Sequence, residues 1–234
     1  LYINHKSGSV KEMNEFLNIN KPVGVTSHDV VDQVRRATGV KKVGHAGTLD
    51  PLASGVLIVA VGRDMTKRID EVKSQQKEYV AVVRLDGKSD TDDAEGIIEL
   101  IDVKSIPSES AVKKVVDSFI GEIEQVPPVY SAKKVSGRKS YEMARKGEEV
   151  ALKPQTITIN NIEILKYEWP ELAIRVTCGP GAYIRALARD IGTKLNTGGY
   201  ITQLIRTRIG NFKIADSIMI EDLSKSGDEN HDKL

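Results

Sequence analysis

The chain has 234 residues, of which 40% are hydrophobic and 29% charged, an ordinary globular balance with enough apolar material for a core. No apolar run approaches the roughly 18–20 residues of a membrane span, and the opening L-Y-I-N-H-K-S-G-S carries no signal-peptide pattern. One cysteine and four scattered histidines exclude an internal disulfide and leave no ligand cluster for zinc, so the expectations are a cytoplasmic protein without metal or cofactor.

The net charge of +1 hides an asymmetry. Residues 131–147 hold six basic residues and one acid, whereas residues 86–109 hold eight acids and two lysines. Such separation permits a basic face for a polyanion, and a solvated basic loop accounts for it equally well.

In chain order, F-L-N-I-N-K-P (residues 16–22) alternates apolar and polar residues and predicts a short strand entering a turn. Thr26 or Ser27 caps a helix with an apolar face of Val30, Val31, Val34 and Ala37, closed by Gly39. The run G-V-L-I-V-A-V-G (residues 55–62) predicts a buried strand, and residues 78–85 another. Residues 86–96 read as a loop, and Pro107 and Ser108 open a helix ended by Gly121. A proline-stiffened segment, Q-V-P-P-V-Y-S-A-K-K, leads into the basic stretch. Residues 155–167 and 172–178 predict an antiparallel pair joined at Trp169-Pro170, and a helix follows C-G-P-G-A. Strands that outnumber helices without alternating with them predict an α+β fold with a mostly antiparallel sheet. Residues 1–13 are expected to be a disordered extension, 14–223 the catalytic unit, and 224–234 an acidic tail.

Residues 43–57, V-G-H-A-G-T-L-D-P-L-A-S-G-V-L, spend three glycines on one connection, as a backbone does where it bends hard or approaches something closely. An aspartate in such a turn is more often a turn former than a catalyst. Asp50, however, directly precedes a predicted buried strand, where a polar side chain can project into a cleft and needs a cation to stay ionised. The loop D-G-K-S-D-T-D-D-A-E-G fails the calcium-loop spacing and reads as an acidic hairpin tip. No phosphate-binding glycine loop is present, and Cys178 reads as a buried strand residue. Asp50, Tyr79, Tyr183, Arg185, His45 and Lys21 form a set of one carboxylate, cations and aromatic rings suited to a flat polar substrate such as a base.

The segments N-K-P-V-G-V-T-S, V-G-H-A-G-T-L-D-P-L-A-S-G-V-L, Q-V-P-P-V-Y-S-A-K-K, C-G-P-G-A-Y-I-R-A-L-A-R-D-I-G and L-I-R-T-R-I-G, in this order, resemble the TruB family of transfer-RNA pseudouridine synthases. The resemblance implies a pseudouridine-synthase fold, with a mixed, mostly antiparallel sheet, flanking helices and a central catalytic cleft. It also implies isomerisation of uridine at position 55 in the transfer-RNA T loop by a protein expected to be a monomer. Asp50 then corresponds to the catalytic aspartate, Arg185 to its paired arginine, and Tyr79 to the tyrosine stacked on the flipped base. His45 matches the histidine that enters the T loop, Tyr183 and Leu204 line the pocket, and Lys21 belongs to the Lys-Pro motif supporting the catalytic loop. Arg185 is expected to keep the Asp50 carboxyl acidic. Lys133, Lys134 and Arg138 are candidates for phosphate contact.

Two positions depart from the family pattern: Ala46 stands where threonine is frequent, and Ile205 where an arginine commonly follows the leucine. The usual C-terminal RNA-binding domain is expected to be missing. A binding protein that refolds the T arm without chemistry would need His45 and the basic stretch but not Asp50 with Arg185. A carboxylate hydrolase would need a second catalytic acid about 5–10 Å away, for which no motif is found.

Overall fold

The computed structural model describes residues 13–223 apart from 132 and 136; residues 1–12 and the expected tail at 224–234 lie outside the described part. The first half comprises β1 (Glu15–Lys21), α1 (Ser27–Thr38), β2 (Val43–His45), β3 (Ala53–Val61), α2 (Arg63–Lys67), α3 (Ile69–Lys73), β4 (Lys77–Arg84), β5 (Gly87–Ser89) and β6 (Ile98–Leu100). The second half comprises α4 (Glu109–Asp117), β7 (Gly121–Gln125), β8 (Lys134–Val135), β9 (Arg138–Lys139), α5 (Ser140–Ala144), β10 (Gln155–Glu168), β11 (Glu171–Cys178), α6 (Ile184–Leu195), β12 (Tyr200–Ile209), β13 (Phe212–Lys213) and β14 (Ile218–Met219).

Ten strands form one sheet with the path β14-β1-β3-β12-β4-β11-β10-β7, to which β2 adds on β3 and β13 on β12. Only β1 with β14 and β3 with β12 run parallel; the other pairs are antiparallel, so the sheet is mixed and mostly antiparallel as expected. Strand β3 sends Leu57, Val59 and Val61 to one face, against Val30, Val31 and Val34 of α1. Val56 and Ile58 go to the other face, against Val72 of α3. Burial on both faces is why its sequence reads as one apolar run rather than an alternation. The largest core lies where α4 and α6 cover β4, β10, β11 and β12, with Val112, Val116, Leu187 and Ile191 packed on Ala81, Val83, Ile174 and Ile201. Each such valine, leucine or isoleucine contributes roughly 1.5–3 kcal/mol by leaving water.

Helix α1 begins at a capping box in which the Thr26 hydroxyl accepts from the Asp29 N–H and the Asp29 carboxylate accepts from the Thr26 N–H; Gly39 closes it in the left-handed conformation. Two features differ from expectation. Gly121 does not end the helix, which stops at Asp117 with Ser118 as its C-cap, but starts edge strand β7. The segment 200–209 is a full central strand, β12, although Gln203, Arg206 and Arg208 obscure any strand pattern. Strands β3 and β12 approach so closely that a Cβ on Gly55, at φ +99°, would sit 2.3 Å from the Arg206 carbonyl oxygen. Only glycine fits that crossing.

Candidate active site

The glycine-rich turn between β2 and β3 is fastened at almost every residue. The Ala46 N–H donates to the Ile58 carbonyl at 2.8 Å. Arg206, from β12, donates to the Gly47 carbonyl at 3.1 Å and the Thr48 carbonyl at 3.4 Å. Ser27 Oγ accepts from the Leu49 N–H at 2.8 Å and lies 2.9 Å from the Leu49 carbonyl it donates to. The Pro51 carbonyl accepts from the Gly24 N–H at 2.8 Å and from Lys21 Nζ at 3.5 Å. Lys21 Nζ also donates to the Pro22 and Val25 carbonyls at 2.8 and 2.7 Å, so this buried lysine binds the Lys-Pro turn to the catalytic turn. The outcome is a rigid backbone around the Asp50 carboxylate, which takes no part in these contacts.

Arg185, in the first turn of α6, places its Nε 3.0 Å from Asp50 Oδ2. The start of α6 is fixed by Gln125, whose side chain accepts from the Tyr183 N–H at 2.9 Å and donates to the Tyr183 carbonyl at 3.1 Å. The same guanidinium faces Asp93 Oδ2 at 3.4 Å and donates to the Thr91 and Tyr130 carbonyls at 2.7 and 2.8 Å. Arg185 and Asp93 are nearly sealed, with side chains 6% and 4% exposed, whereas 38% of the Asp50 side chain stays open. Asp50 is thus the member of the triad that a ligand can reach.

The expectation that Arg185 holds the Asp50 carboxyl acidic is not met. Burial pushes Asp50 above its usual value and outweighs the Arg185 charge, with the Asp93 charge pushing the same way. The acidic segment 86–96 also needs correction. It is a hairpin, with β5 paired to β6, but Asp92 and Asp93 at its tip are buried. The tip is held to β12 by Ala94 N–H to the Ile201 carbonyl and Ile201 N–H to the Asp92 carbonyl. Asp93 is therefore the second acid that no motif supplied. Sealed beside Arg185, with Oδ1 accepting from the Thr91 hydroxyl at 2.6 Å and the Glu95 N–H at 3.0 Å, it is a supporting anion and not a second catalyst open to substrate.

Tyr79 on β4 lies opposite Val176 of β11 and Arg206 of β12. Leu204 on β12 lies opposite Ala81 of β4 and Ala53 of β3. Both belong to one buried cluster with Leu49, giving the region an apolar, aromatic lining. Burial raises the phenols of Tyr79 and Tyr183, each opposed by a nearby arginine. His45, at the end of β2, meets the ring of His28 edge to face at 6.1 Å, and burial followed by the His28 charge lowers it to about 4. Lys21 is lowered to about 8, chiefly by burial. Cys178 is buried and pushed up to about 11 by that burial, the state of an inert core thiol.

The basic candidates lie on the small β8–β9 hairpin. Lys133 Nζ donates to Gln155 Oε1 at 2.7 Å. Arg138 is exposed and forms a bidentate pair with Glu148 at 2.9 and 2.6 Å, so it is not the free cation its sequence context suggests. The side chain of Lys134 lies outside the described residues. At the root of this hairpin the carbonyl of Tyr130 is the one that Arg185 binds. Asp93, Arg206, Ser27 and Gln125 are site-building residues that the sequence does not single out, although Arg206 lies within L-I-R-T-R-I-G. Among the described residues no three His, Cys, Asp or Glu side chains gather as a metal ion requires, and no helix is long and apolar enough to cross a membrane.

Residues 35–184 match the model of the TruB family pseudouridylate synthase N-terminal domain, and residues 185–233 that of the tRNA pseudouridylate synthase B C-terminal domain. The chain belongs to the TruB family. The two matched regions meet at Arg185, so the Asp50–Arg185 pair joins one to the other. A tRNA pseudouridine synthase B of Phocaeicola vulgatus is 47% identical over 213 residues, covering 88% of this chain and 90% of that one. One from Parabacteroides distasonis is 45% identical, covering 94% and 96%. Among solved structures, a Cbf5-Nop10-Gar1 complex matches with a TM-score of 0.71 at 32% identity, over 92% of this chain and 54% of that one. An H/ACA RNP bound to a substrate RNA containing 2'-deoxyuridine matches at 0.66 and 31%, over 90% and 52%. This TruB family chain therefore spans about half the length of those structural relatives, and its fold is the pseudouridine-synthase fold expected from the sequence.

Proposed function

We propose that this TruB family chain converts a uridine in the T loop of transfer RNA to pseudouridine, working as a monomer through one catalytic unit spanning residues 14–223. The observation that carries the reading is the Asp50 carboxylate, open to solvent on a turn whose neighbouring residues are fastened to four different elements, and facing a sealed guanidinium. Electrostatic preorganisation of this kind requires no rearrangement when charge develops. The names of the curated relatives support transfer RNA as substrate.

In the reaction the bond between N1 and C1′ breaks, the freed base turns, and C5 bonds to C1′. The proton lost from C5 is matched by one gained at N1, so the change is an isomerisation with no oxidant or energy source. The target base must leave the T-loop stack at a cost of a few kcal/mol. His45, neutral near pH 7, can fill the vacated space without desolvating a charge. Tyr79, Leu204 and Tyr183 then flank the extruded base, and Asp50 acts at its sugar. Lys21 keeps the turn in place, while Lys133, Lys134 and Arg138 approach the RNA backbone, Arg138 exchanging its contact with Glu148 for phosphate. The test is incubation with a transfer-RNA transcript followed by pseudouridine-selective chemical mapping. One modified uridine in the T loop is expected; an unmodified transcript would overturn the reading.

A further inference from the structure

The largest fully buried side chain in the structure is charged: Arg206, 1% exposed. Burying a charge costs several kcal/mol unless it is compensated, and the usual compensation is a carboxylate. Here the hydrogen-bond partners are carbonyls: Val56 of β3 at 2.7 Å, and Gly47 and Thr48 of the catalytic turn. The phenol of Tyr79, its cross-strand neighbour, faces the same guanidinium. The backbone has been shaped around this residue, since Gly55 must lack a side chain to let β3 close on β12 at Arg206.

We propose that Arg206 is a positioning residue for the isomerisation, fixing the Tyr79 hydroxyl relative to the Asp50 turn. This inference rests on the proposed synthase reading. One planar guanidinium reaches the turn three and two residues before Asp50 and, from the neighbouring strand, Tyr79. The turn cannot shift without breaking a bond to Arg206, and Tyr79 is held beside the guanidinium by the strand register. The charge also opposes the burial that raises the Tyr79 phenol, and together with burial it lowers the neighbouring Lys77 to about 8. With no carboxylate bonded to Arg206 among the described residues, that positive field stays available to an oxygen gaining negative character at Tyr79. A lysine at this position retains the charge but gathers its donors at one nitrogen, and cannot reproduce the planar fork that spans the Val56 carbonyl and the catalytic turn.

The experiment measures Arg206→Lys and Arg206→Met for thermal stability, RNA Kd and single-turnover rate at saturating RNA, each with Tyr79 present and in a Tyr79→Phe background. With Tyr79 present, Arg206→Lys is expected to slow the step at least tenfold while Kd stays within threefold. In the Tyr79→Phe background the same substitution should cost less than threefold. Equal losses in both backgrounds, or a loss confined to melting temperature, would overturn the proposal. Because replacing a buried arginine can prevent folding, the unaltered protein supplies a second arm. In protein labelled at arginine and tyrosine, NOEs are expected between the Arg206 guanidinium protons and the Tyr79 ring. Their absence overturns the proposal even if no variant folds. That arm is independent of turnover, so its failure is distinct from failure of the unaltered enzyme to form pseudouridine.

Discussion

Arg185 Nε lies 3.0 Å from Asp50 Oδ2 while the same guanidinium faces Asp93 at 3.4 Å, so one sealed cation is shared by an open carboxylate and a buried one. The two acids pull Arg185 in different directions, and its bonds to the Thr91 and Tyr130 carbonyls fix where it rests. Lysine has one donor centre and cannot serve four acceptors. Arg185→Lys should therefore lower the single-turnover rate by about 100-fold or more, roughly 2.7 kcal/mol in the barrier, with RNA affinity within a few-fold. Parallel rapid-quench and filter-binding measurements check this, and near-normal turnover would show that a point charge suffices.

The Asp50 carboxyl is raised above its ordinary 3.8, first by burial and then by Asp93, against Arg185. If the ionised form acts, the acid limb of the single-turnover rate should lie above that ordinary value, with activity lost as pH falls through it. A pH series at saturating RNA reads the midpoint. A limb at or below 3.8 would mean that Arg185 dominates.

Asp92, buried beside Arg189 at 2.8 Å, is raised to about 6, chiefly by burial. For an acid raised on folding, the stability gained from the bound proton is full below the unfolded value and is lost as pH rises through the folded one. Relative to Asp92→Asn, the unaltered protein should thus gain stability as pH is lowered from about 7 to about 4, by on the order of 2 kcal/mol. Urea titrations at several pH values give the difference. A gap that is flat, or that moves the other way, contradicts the assignment.

The fold was legible where burial is two-sided or capping is local: the apolar run of β3, the cap at the start of α1 and the β10–β11 pair all announce themselves. Strand β12 did not, because its arginines serve the site and break the apolar pattern. Asp50, Arg185 and Tyr79 were found through the motif resemblance, since residues far apart in sequence carry no spacing signal of their own. Asp93 was hidden in an acid-rich run, where burial of two carboxylates depends on arginines about 95 residues later. The pairing of Arg138 with Glu148 was not legible, because the two residues lie ten positions apart in sequence.

His45 is lowered to about 4 by burial and by the His28 charge, so it stays uncharged through the physiological range. The ratio of unaltered to His45→Ala rates should consequently be constant between about pH 5.5 and 8. The His45→Ala defect should also shrink on a substrate whose target uridine is already unstacked. A ratio that titrates near pH 6.5 would place a charged imidazole in the mechanism.

The central claim is that the Asp50 carboxylate performs the chemistry, and Asp50→Asn tests it most directly, since the side chain keeps its size and loses only its charge. The measurement is single-turnover pseudouridine formation on a transfer RNA, matched with RNA affinity under the same salt. Pseudouridine formation abolished, with Kd within a few-fold of the unaltered protein, is the expected result. Ordinary turnover by Asp50→Asn would contradict the account and reduce Asp50 to a turn-forming residue.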